Sequence, residues 1–146
     1  MIRSAIVDRE IDLGAIITEV TSDDAGAVSV FIGTVRDHSD DRPVEAIEYE
    51  AYRDMAESEL ADIVREASEQ FEISSLAAEH RVGALRVGDI SVAIASAHPH
   101  RSAAIECTHF VIEEIKKRVP IWKREHFVDG TREWVDPTAG SGVAAS

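Results

Sequence analysis

The sequence predicts one α+β domain in which two main helices pack against a mainly antiparallel sheet. Three observations lead to this fold class: two long segments with helical spacing of apolar residues, several short segments rich in β-branched residues, and turn signals between them. The chain has 146 residues, of which 45% are hydrophobic, so one domain with a substantial core is expected. We assign residues 1–137 to this domain and expect residues 138–146, which are rich in Gly and Ala, to form a flexible tail.

The first helix is predicted over residues 54–71. Asp54 is expected to cap its N-terminus, with Glu57 three positions later as in a capping box. Apolar residues then recur at intervals of three and four, while acidic residues occupy the other face. The apolar stripe consists of Leu60, Ile63, Val64, Ala67 and Phe71.

The second helix is predicted to run from Pro99 or His100 to Arg118. Pro120 ends it, because the residue before a proline disfavours the helical conformation. Cys107 lies on the apolar stripe of this helix, which favours a buried core residue over a nucleophile. Because it is the only cysteine, the sequence excludes an intramolecular disulfide and a zinc site built from several cysteines.

The remaining apolar segments alternate with polar residues or are rich in β-branched residues, and they are predicted to be strands. They are residues 26–36, 44–52, 73–82, 90–97, 121–128 and 132–135. The polar residues 37–43 predict a loop, and Asp129–Gly130 predicts the turn of a terminal hairpin. Trp122 and Lys123 should point to opposite faces of their strand, and Trp122 is expected to pack in the core.

The formal net charge of −13 argues against general nucleic-acid binding, which requires a basic surface. The acidic residues fit either an ordinary solvated surface or a cell interior rich in salt, where screening makes dense charge tolerable. No apolar segment approaches the roughly 20 residues that span a bilayer, and the first ten residues lack an apolar signal core. The sequence therefore predicts a cytoplasmic protein without membrane or nucleic-acid partners.

Lysine is confined to one short segment of the chain. The fifteen basic residues include three lysines, Lys116, Lys117 and Lys123. A helix C-terminus accounts for the first two, since cations there complement the helix dipole, but it does not account for Lys123. Unlike arginine, lysine can lose its proton and act as a base or nucleophile, and two ammonium groups in one pocket lower each other's pKa. The sequence thus predicts a lysine-based active site around Lys116 and Lys123.

Two further segments carry side chains suited to anions. His98, His100 and Arg101 flank the predicted start of the second helix, where backbone N–H groups attract anions. An anion or substrate contact, a structural loop and, least favoured, a metal site are the three interpretations of this segment. Arg36, followed by His38, fits a phosphate or carboxylate ligand and a solvated strand end equally well. The sequence contains no Gly-rich phosphate loop, nucleophile elbow or zinc-binding helix motif.

One block of the sequence is Lys116-x-Arg118-x-Pro120-x-Trp122-Lys123-x-Glu125. Further motifs are Phe31-x-Gly33-x-Val35-Arg36-x-His38, Glu48-Tyr49-Glu50-Ala51-Tyr52 with Met55, His80-Arg81-x-Gly83, Val87-Gly88-Asp89, Ser96-x-x-x-His100-Arg101 and Trp134-Val135. In their order and spacing, these motifs resemble the large, catalytic subunit of molybdopterin synthase over about residues 25–136, and the block from Lys116 to Glu125 is the most specific of them.

The resemblance implies an α/β-hammerhead fold and a homodimer that binds two small, ubiquitin-like sulfur-carrier subunits, forming a heterotetramer. Such an enzyme transfers sulfur from the thiocarboxylated C-terminus of the carrier to cyclic pyranopterin monophosphate and so makes the dithiolene of molybdopterin, with no cofactor or metal. By the same resemblance, Lys116 is the catalytic residue nearest the carrier's terminal carbonyl, and Lys123 acts in proton transfer or phosphate stabilisation. The implied substrate-binding residues are Arg36, His100, Arg101, Phe31 and Glu125.

Three features depart from the family pattern, and one of them is the unusual His98–Pro99 before the His100–Arg101 pair. Ile112 stands where some relatives carry Met, and no basic residue follows Arg132, although some bacterial relatives have a late arginine that reaches the neighbouring subunit's site. Whether the neighbouring subunit contributes to the site is therefore left open. The alternative functions are a non-catalytic module that binds the tail of a ubiquitin-like protein and, less favoured, another lysine enzyme such as a Schiff-base aldolase.

Overall fold

A computed structural model describes residues 1–135, which form three helices and nine strands. The predicted flexible tail, residues 138–146, lies outside the described residues. The elements in chain order are β1 (Ile2–Val7), α1 (Leu13–Val20), β2 (Ala27–Thr34), β3 (His38–Ser39), β4 (Arg42–Ala51), α2 (Arg53–Phe71), β5 (Ser75–Arg81), β6 (Gly83–Arg86), β7 (Ile90–His98), α3 (Arg101–Arg118), β8 (Ile121–Phe127) and β9 (Arg132–Val135). The α+β class is confirmed, and the short helix α1 accompanies the two predicted main helices.

The strands form two sheets that are mainly antiparallel, as predicted. The first has the order β1-β5-β7-β2, in which β1 and β5 are parallel and the other pairs are antiparallel. The second has the order β3-β4-β8-β9, with β6 also paired to β4, and its pairs are all antiparallel. Strand β2 therefore lies at an edge of the first sheet, whereas β8 lies inside the second.

Strand β7 buries both of its faces. Ala93 and Ala95 face a small core that includes residues of α1, where short side chains let the helix approach the sheet. Val92 and Ile94 face the larger core, to which α2 and α3 contribute. The alternation of residues 90–97 predicts only one buried face. That prediction is wrong because β7 lies between β5 and β2 and is covered on both sides.

Helix α2 begins at Arg53, so the prediction of Asp54 as its N-cap is wrong. The capping position is Tyr52, whose side chain makes no capping hydrogen bond, and Asp54 lies in the first turn. There its negative charge complements the helix dipole. Glu57 pairs with Arg53 at 3.0 Å instead of completing a capping box. The helix ends at Phe71, as predicted.

Helix α3 agrees with the prediction and runs in the same direction as the edge strand β2. Cys107 is fully buried on it, which confirms the core assignment, and burial raises the pKa of its thiol to about 11. Ser29 near the start of β2 bonds Thr108 at 2.7 Å, and Phe31 further along β2 lines a groove with Ile112 further along α3. The start of α3 therefore lies at the start of β2, and its end lies towards the end of that strand.

The polar residues 37–43, predicted as a loop, include a tight hairpin between β3 and β4. Asp40 and Asp41 occupy its two-residue turn with φ values of 48° and 66°. Aspartate tolerates this left-handed conformation better than most residues do. The turn sends Ser39 into the interior, where it is buried.

Strand β8 alternates between core and surface, but Trp122 does not lie in the core. Lys123 and Glu125 point to the interior, whereas Trp122 is half-buried on the opposite face. There its ring packs edge-on against Tyr52, with 4.5 Å between the ring centroids. The prediction that Trp122 and Lys123 lie on opposite faces of the strand is confirmed. The inner face carries the charged residues Lys123 and Glu125, which line a pocket.

Gly26, which directly precedes β2, marks a close approach between two backbone segments. A Cβ at this position would lie 2.5 Å from the carbonyl oxygen of Pro99, just before α3. Gly26→Ala is therefore expected to destabilise the protein by roughly 1–3 kcal/mol in urea unfolding. Gly14→Ala is the matched control, because its Cβ would make only ordinary contact within α1 and should stabilise that helix slightly. Equal stability of G26A and the wild type would contradict this close approach.

Candidate active site

The second sheet aims two charged side chains of β8 into the protein interior. Lys123 is 2% exposed and Glu125 is 3% exposed. The Nζ atom of Lys123 lies 4.0 Å from Oε1 of Glu125, and the same oxygen accepts a hydrogen bond from Ser39 Oγ at 3.1 Å. A buried ammonium group therefore has a buried carboxylate beside it, and that carboxylate is held by a hydroxyl from the β3–β4 hairpin.

A pocket adjoins this ion pair. Its lining residues come from β2, the segment after it, the β3–β4 hairpin and β8. They are Thr34, Arg36, His38, Ile47, Tyr49, Lys123 and Glu125. The fold thus places three of the predicted site residues, Arg36, Lys123 and Glu125, in one pocket although almost ninety positions of sequence separate the first from the others.

Lys116 lies half-buried in the last turn of α3 and borders a groove between α3 and β2. Phe31 and Ile112 line the same groove, so the predicted site residue Phe31 lies on the Lys116 side. Burial, followed by the positive charges of Lys123 and Arg36, lowers the pKa of Lys116 to about 8. A substantial fraction of this amine is therefore neutral near physiological pH, where an ordinary lysine is fully charged.

Lys123 differs from Lys116 in the charges that surround it. Burial is the largest effect and lowers the pKa of Lys123, Glu125 raises it, Arg36 lowers it and Asp40 raises it. The acidic neighbours thus favour the charged form of this amine and oppose the effect of burial. The site therefore contains two different amines. Lys116 can exchange a proton near neutral pH, whereas Lys123 has a carboxylate partner.

Two buried residues outside the predicted site lie beside the lysines. Tyr49 and His80 pack edge to face, with ring centroids 5.2 Å apart. His80 Nδ1 bonds the carbonyl of Arg81 at 2.8 Å, and burial, with a smaller effect of the Lys116 charge, lowers the pKa of His80 to about 4. Burial also raises the pKa of Tyr49. Both side chains are therefore neutral at physiological pH. They belong to motifs of the family pattern, but sequence spacing does not indicate that they lie next to lysines of other elements.

His100 and Arg101 do not lie with the lysines in this chain. They are exposed at the start of α3, whereas Lys116 is in its last turn. Fifteen residues of helix at 1.5 Å per residue separate Arg101 from Lys116 by about 22 Å. The structure thus divides the predicted site residues between the two ends of one helix.

Lys117 and Arg118, two other basic residues of the 116–124 segment, form ion pairs with glutamates. Lys117 is exposed, and its Nζ lies 3.6 Å from a carboxylate oxygen of Glu114. Arg118 forms ion pairs with Glu59, Glu66 and Glu114 at distances of 2.8 to 3.3 Å, which join the end of α3 to α2. Arg118 therefore holds the two helices together, and neither Lys117 nor Arg118 lines the pocket.

The described residues 1–135 contain no group of three or more His, Cys, Asp or Glu side chains that could hold a metal ion. His98 Nδ1 instead accepts a hydrogen bond from the backbone N–H of His100 at 2.9 Å, which favours the structural interpretation of that histidine. Over the same range, none of the helices is long and apolar enough to cross a membrane.

Comparison with known proteins identifies similar chains along most of the sequence. The family model described as "MoaE protein" matches residues 6–118. The molybdopterin synthase catalytic subunit of Bacillus subtilis (strain 168) is 43% identical over 135 residues, covering 92% of this chain and 85% of that protein. The protein of the same name from Thermoplasma volcanium is 41% identical over 129 residues, covering 88% of this chain and 94% of that protein.

Solved structures of similar proteins share the fold. The crystal structure of molybdopterin synthase from Staphylococcus aureus superposes with a TM-score of 0.83 at 38% identity, covering 89% of this chain and 94% of that chain. A protein–protein complex of subunits 1 and 2 of molybdopterin-converting factor from Helicobacter pylori 26695 contains a chain with a TM-score of 0.75 at 25% identity, covering 97% of this chain and 99% of that chain.

Proposed function

The chain belongs to the MoaE protein family, and we propose that it is the catalytic subunit of a molybdopterin synthase and acts as a sulfurtransferase. It takes sulfur from the thiocarboxylated C-terminus of a small ubiquitin-like carrier subunit and transfers it to cyclic pyranopterin monophosphate, forming the dithiolene of molybdopterin. The observation that carries this proposal is the half-buried amine of Lys116, whose pKa is about 8, beside the cationic groups of Lys123 and Arg36.

Both proposed substrates are anions, so a cationic pocket is required on a protein with a net charge of −13. Each transfer forms a C–S bond on the pterin in place of a C–O bond, and a water oxygen replaces the sulfur of the carrier's thiocarboxylate, leaving a carboxylate. Protons must be moved as water attacks the terminal carbonyl. The partly neutral amine of Lys116 can accept such a proton and, once charged, stabilise the developing oxyanion. Lys123 and the Arg36 guanidinium supply positive charge for the substrate phosphate. Glu125 supports Lys123, and Phe31 forms part of the apolar wall beside Lys116.

The proposed partner is the small carrier subunit, and its tail is proposed to lie in the groove beside Lys116. The similar Helicobacter pylori protein forms a complex between two subunits of molybdopterin-converting factor, which supports a two-subunit enzyme here. The groove lies between α3 and β2 and has apolar walls from Phe31 and Ile112 with Lys116 along it. A thin, extended tail ending in an anionic group fits this combination of apolar wall and cation.

A second copy of this chain is proposed as the source of further anion-binding groups near Lys116. Within the described residues 1–135, strand β2 is an unpaired edge of the first sheet. Val28, Val30 and Ile32 project from one of its faces and are 37%, 38% and 39% exposed. An exposed apolar edge strand is prone to pair with another chain, and a two-fold contact pairs such a strand with itself in antiparallel fashion.

Pairing through β2 determines which residues of the two copies meet. Because α3 runs in the same direction as β2, antiparallel pairing of the two β2 strands sets the start of one α3 beside the end of the other. His100 and Arg101 of one copy then approach Lys116 and Arg36 of the other. This homodimer, with one carrier subunit bound to each copy, is the proposed heterotetramer.

The decisive experiment is conversion of cyclic pyranopterin monophosphate by this chain with a thiocarboxylated carrier protein. Formation of the dithiolene product, with the carrier left as its carboxylate form, supports the proposal. Absence of product with carrier that binds the chain normally would favour the binding-module alternative. That alternative also expects Lys116→Arg to function normally, because arginine keeps the charge, whereas the enzyme requires an amine that can lose its proton.

The rate of sulfur transfer is expected to rise about tenfold between about pH 7 and pH 9. The reason is that Lys116, with a pKa of about 8, passes from mostly charged to mostly neutral over this interval. Single-turnover rates with saturating carrier measure the profile. Lys123→Met should move the midpoint to higher pH, because it removes a positive charge that lowers the pKa of Lys116. A rate that falls through pH 8 would contradict the neutral amine as the acting form.

A further inference from the structure

The buried hydroxyl of Ser39 lies next to the charged groups of the proposed active site, at the tip of the β3–β4 hairpin. We propose that Ser39 is a positioning residue that fixes the Glu125 carboxylate against Lys123, and that it thereby favours the charged form of Lys123 and leaves Lys116 as the amine that exchanges protons. This assignment of the two lysines rests on the proposed function, but the pKa values of Lys116 and Lys123 can be measured without any substrate.

The geometry places Ser39 and Lys123 on the same carboxylate oxygen. Ser39 Oγ lies 3.1 Å from Oε1 of Glu125, and that oxygen lies 4.0 Å from Nζ of Lys123. An ionised carboxylate only accepts hydrogen bonds, so the serine hydroxyl must be the donor. All three side chains are buried, where a charge-assisted hydrogen bond is strong and a carboxylate without its donor is costly. The hydroxyl therefore restricts where the negative charge of Glu125 can lie.

Charged and titratable groups of several elements face this carboxylate or the lysine beside it. Arg36 after β2 lowers the pKa of both lysines, and Asp40 in the β3–β4 turn raises the pKa of Lys123. Tyr49 of β4 lies in the same pocket, and the Glu125 charge contributes to the raised pKa of its phenol. His38 lines the pocket from the hairpin. Among these groups, Glu125 has the largest effect in favour of a charged Lys123.

The hydroxyl of Ser39 thus influences the pKa of Lys116 through Glu125 and Lys123. A well-placed Glu125 keeps Lys123 charged, and the charge of Lys123 is the largest cause after burial of the low pKa of Lys116. Without the hydroxyl, Glu125 is free to turn away from Lys123, whose pKa should then fall. Lys116 would meet less positive charge, and its pKa should rise. The pKa values of the two lysines would therefore change in opposite directions.

The test is an NMR titration of the lysine side chains, which is practical because the chain has three lysines and one of them, Lys117, is an exposed internal reference. In Ser39→Ala, the titration midpoint of Lys116 is expected to rise by about half a pH unit or more, while that of Lys123 falls and that of Lys117 is unchanged. The pH profile of sulfur transfer should shift upwards by the same amount as Lys116.

Three further variants separate the hydrogen bond from packing. Ser39→Cys fills the space but is a weak donor, so it should behave like Ser39→Ala. Ser39→Thr keeps the hydroxyl and should retain the wild-type midpoints. Ser75→Ala is the matched control, because it removes a strand serine whose hydroxyl bonds the Val20 carbonyl at 2.7 Å, away from the site.

The outcomes distinguish this proposal from the proposed function. Unchanged midpoints of Lys116 and Lys123 in a folded S39A protein, or midpoints that move in the same direction, would overturn the role of Ser39 even if the wild type converts the pterin. Opposite shifts in a protein that converts no pterin would support the role of Ser39 and overturn the proposed function instead.

Discussion

Replacing Lys116 with methionine is expected to abolish sulfur transfer and, at the same time, to stabilise the folded protein. General acid–base catalysis by one positioned side chain contributes about 10²- to 10⁴-fold in rate, and methionine offers no proton acceptor. The expected loss of single-turnover rate is therefore at least about a hundredfold, with binding of the carrier retained. The methionine side chain fills a similar volume beside Phe31 and Ile112.

The gain in stability follows from the pKa of about 8, because a lysine of the unfolded chain titrates near 10.5. The folded pKa is lowered, so the unfolded state binds the proton more tightly. The lowered pKa of Lys116 therefore decreases the free energy of unfolding. This decrease is fully present below pH 8 and disappears as the pH rises from about 8 to about 10.5. Each pKa unit corresponds to about 1.4 kcal/mol, and after allowance for the partial exposure of Lys116 we expect K116M to gain roughly 1–2 kcal/mol at neutral pH.

Urea unfolding at neutral pH and near pH 10.5 measures both parts of this expectation. The advantage of K116M over the wild type should be present at neutral pH and small at the higher pH. Lys117→Met is the matched control, since Lys117 is exposed on the same helix beside Glu114, and it should change neither the rate nor the stability substantially. A K116M protein that keeps its activity would refute the catalytic role of Lys116.

Long segments with clear apolar periodicity predict their helices well, whereas a short helix and a strand that depends on distant pairing are not predicted. Helices α2 and α3 have apolar stripes long enough to be recognised. Helix α1 has only eight residues, and its strongest local signal is Asp12, whose side chain accepts the N–H of Ala15 at 3.0 Å. Strand β1 is fixed by parallel pairing with β5, more than seventy positions away, which no local pattern indicates.

The candidate site shows a similar division. The unusual confinement of lysine to one segment indicates Lys116 and Lys123, and the family pattern supplies Arg36 and Glu125. Side-chain periodicity correctly separates the two faces of β8, but it does not indicate which face is inside. The prediction that Trp122 packs in the core is wrong for this reason. Spacing also cannot reveal that Ser39 reaches Glu125, because the left-handed turn at Asp40 and Asp41 brings it there.

The distance along α3 leads to the prediction that two inactive variants restore activity when they are mixed. In the proposed dimer, each site uses Lys116 from one copy and Arg101 from the other, so Lys116→Met and Arg101→Ala should each lose activity alone. In a mixed dimer, one site combines the intact Lys116 of the R101A chain with the intact Arg101 of the K116M chain. The second site of that dimer carries both defects.

Random exchange of equal amounts of the two variants makes about half of the dimers mixed, so about a quarter of the wild-type activity should return. The rates are measured after partial unfolding and joint refolding, with each variant treated alone as a control. Val30→Glu places a charge on the exposed face of β2 and should prevent both dimerisation and recovery. No recovery in dimers shown by mass spectrometry to be mixed would place Arg101 outside the partner's site. Because α3 separates the two residues by about 22 Å, Arg101 would then have no role beside Lys116 in either copy.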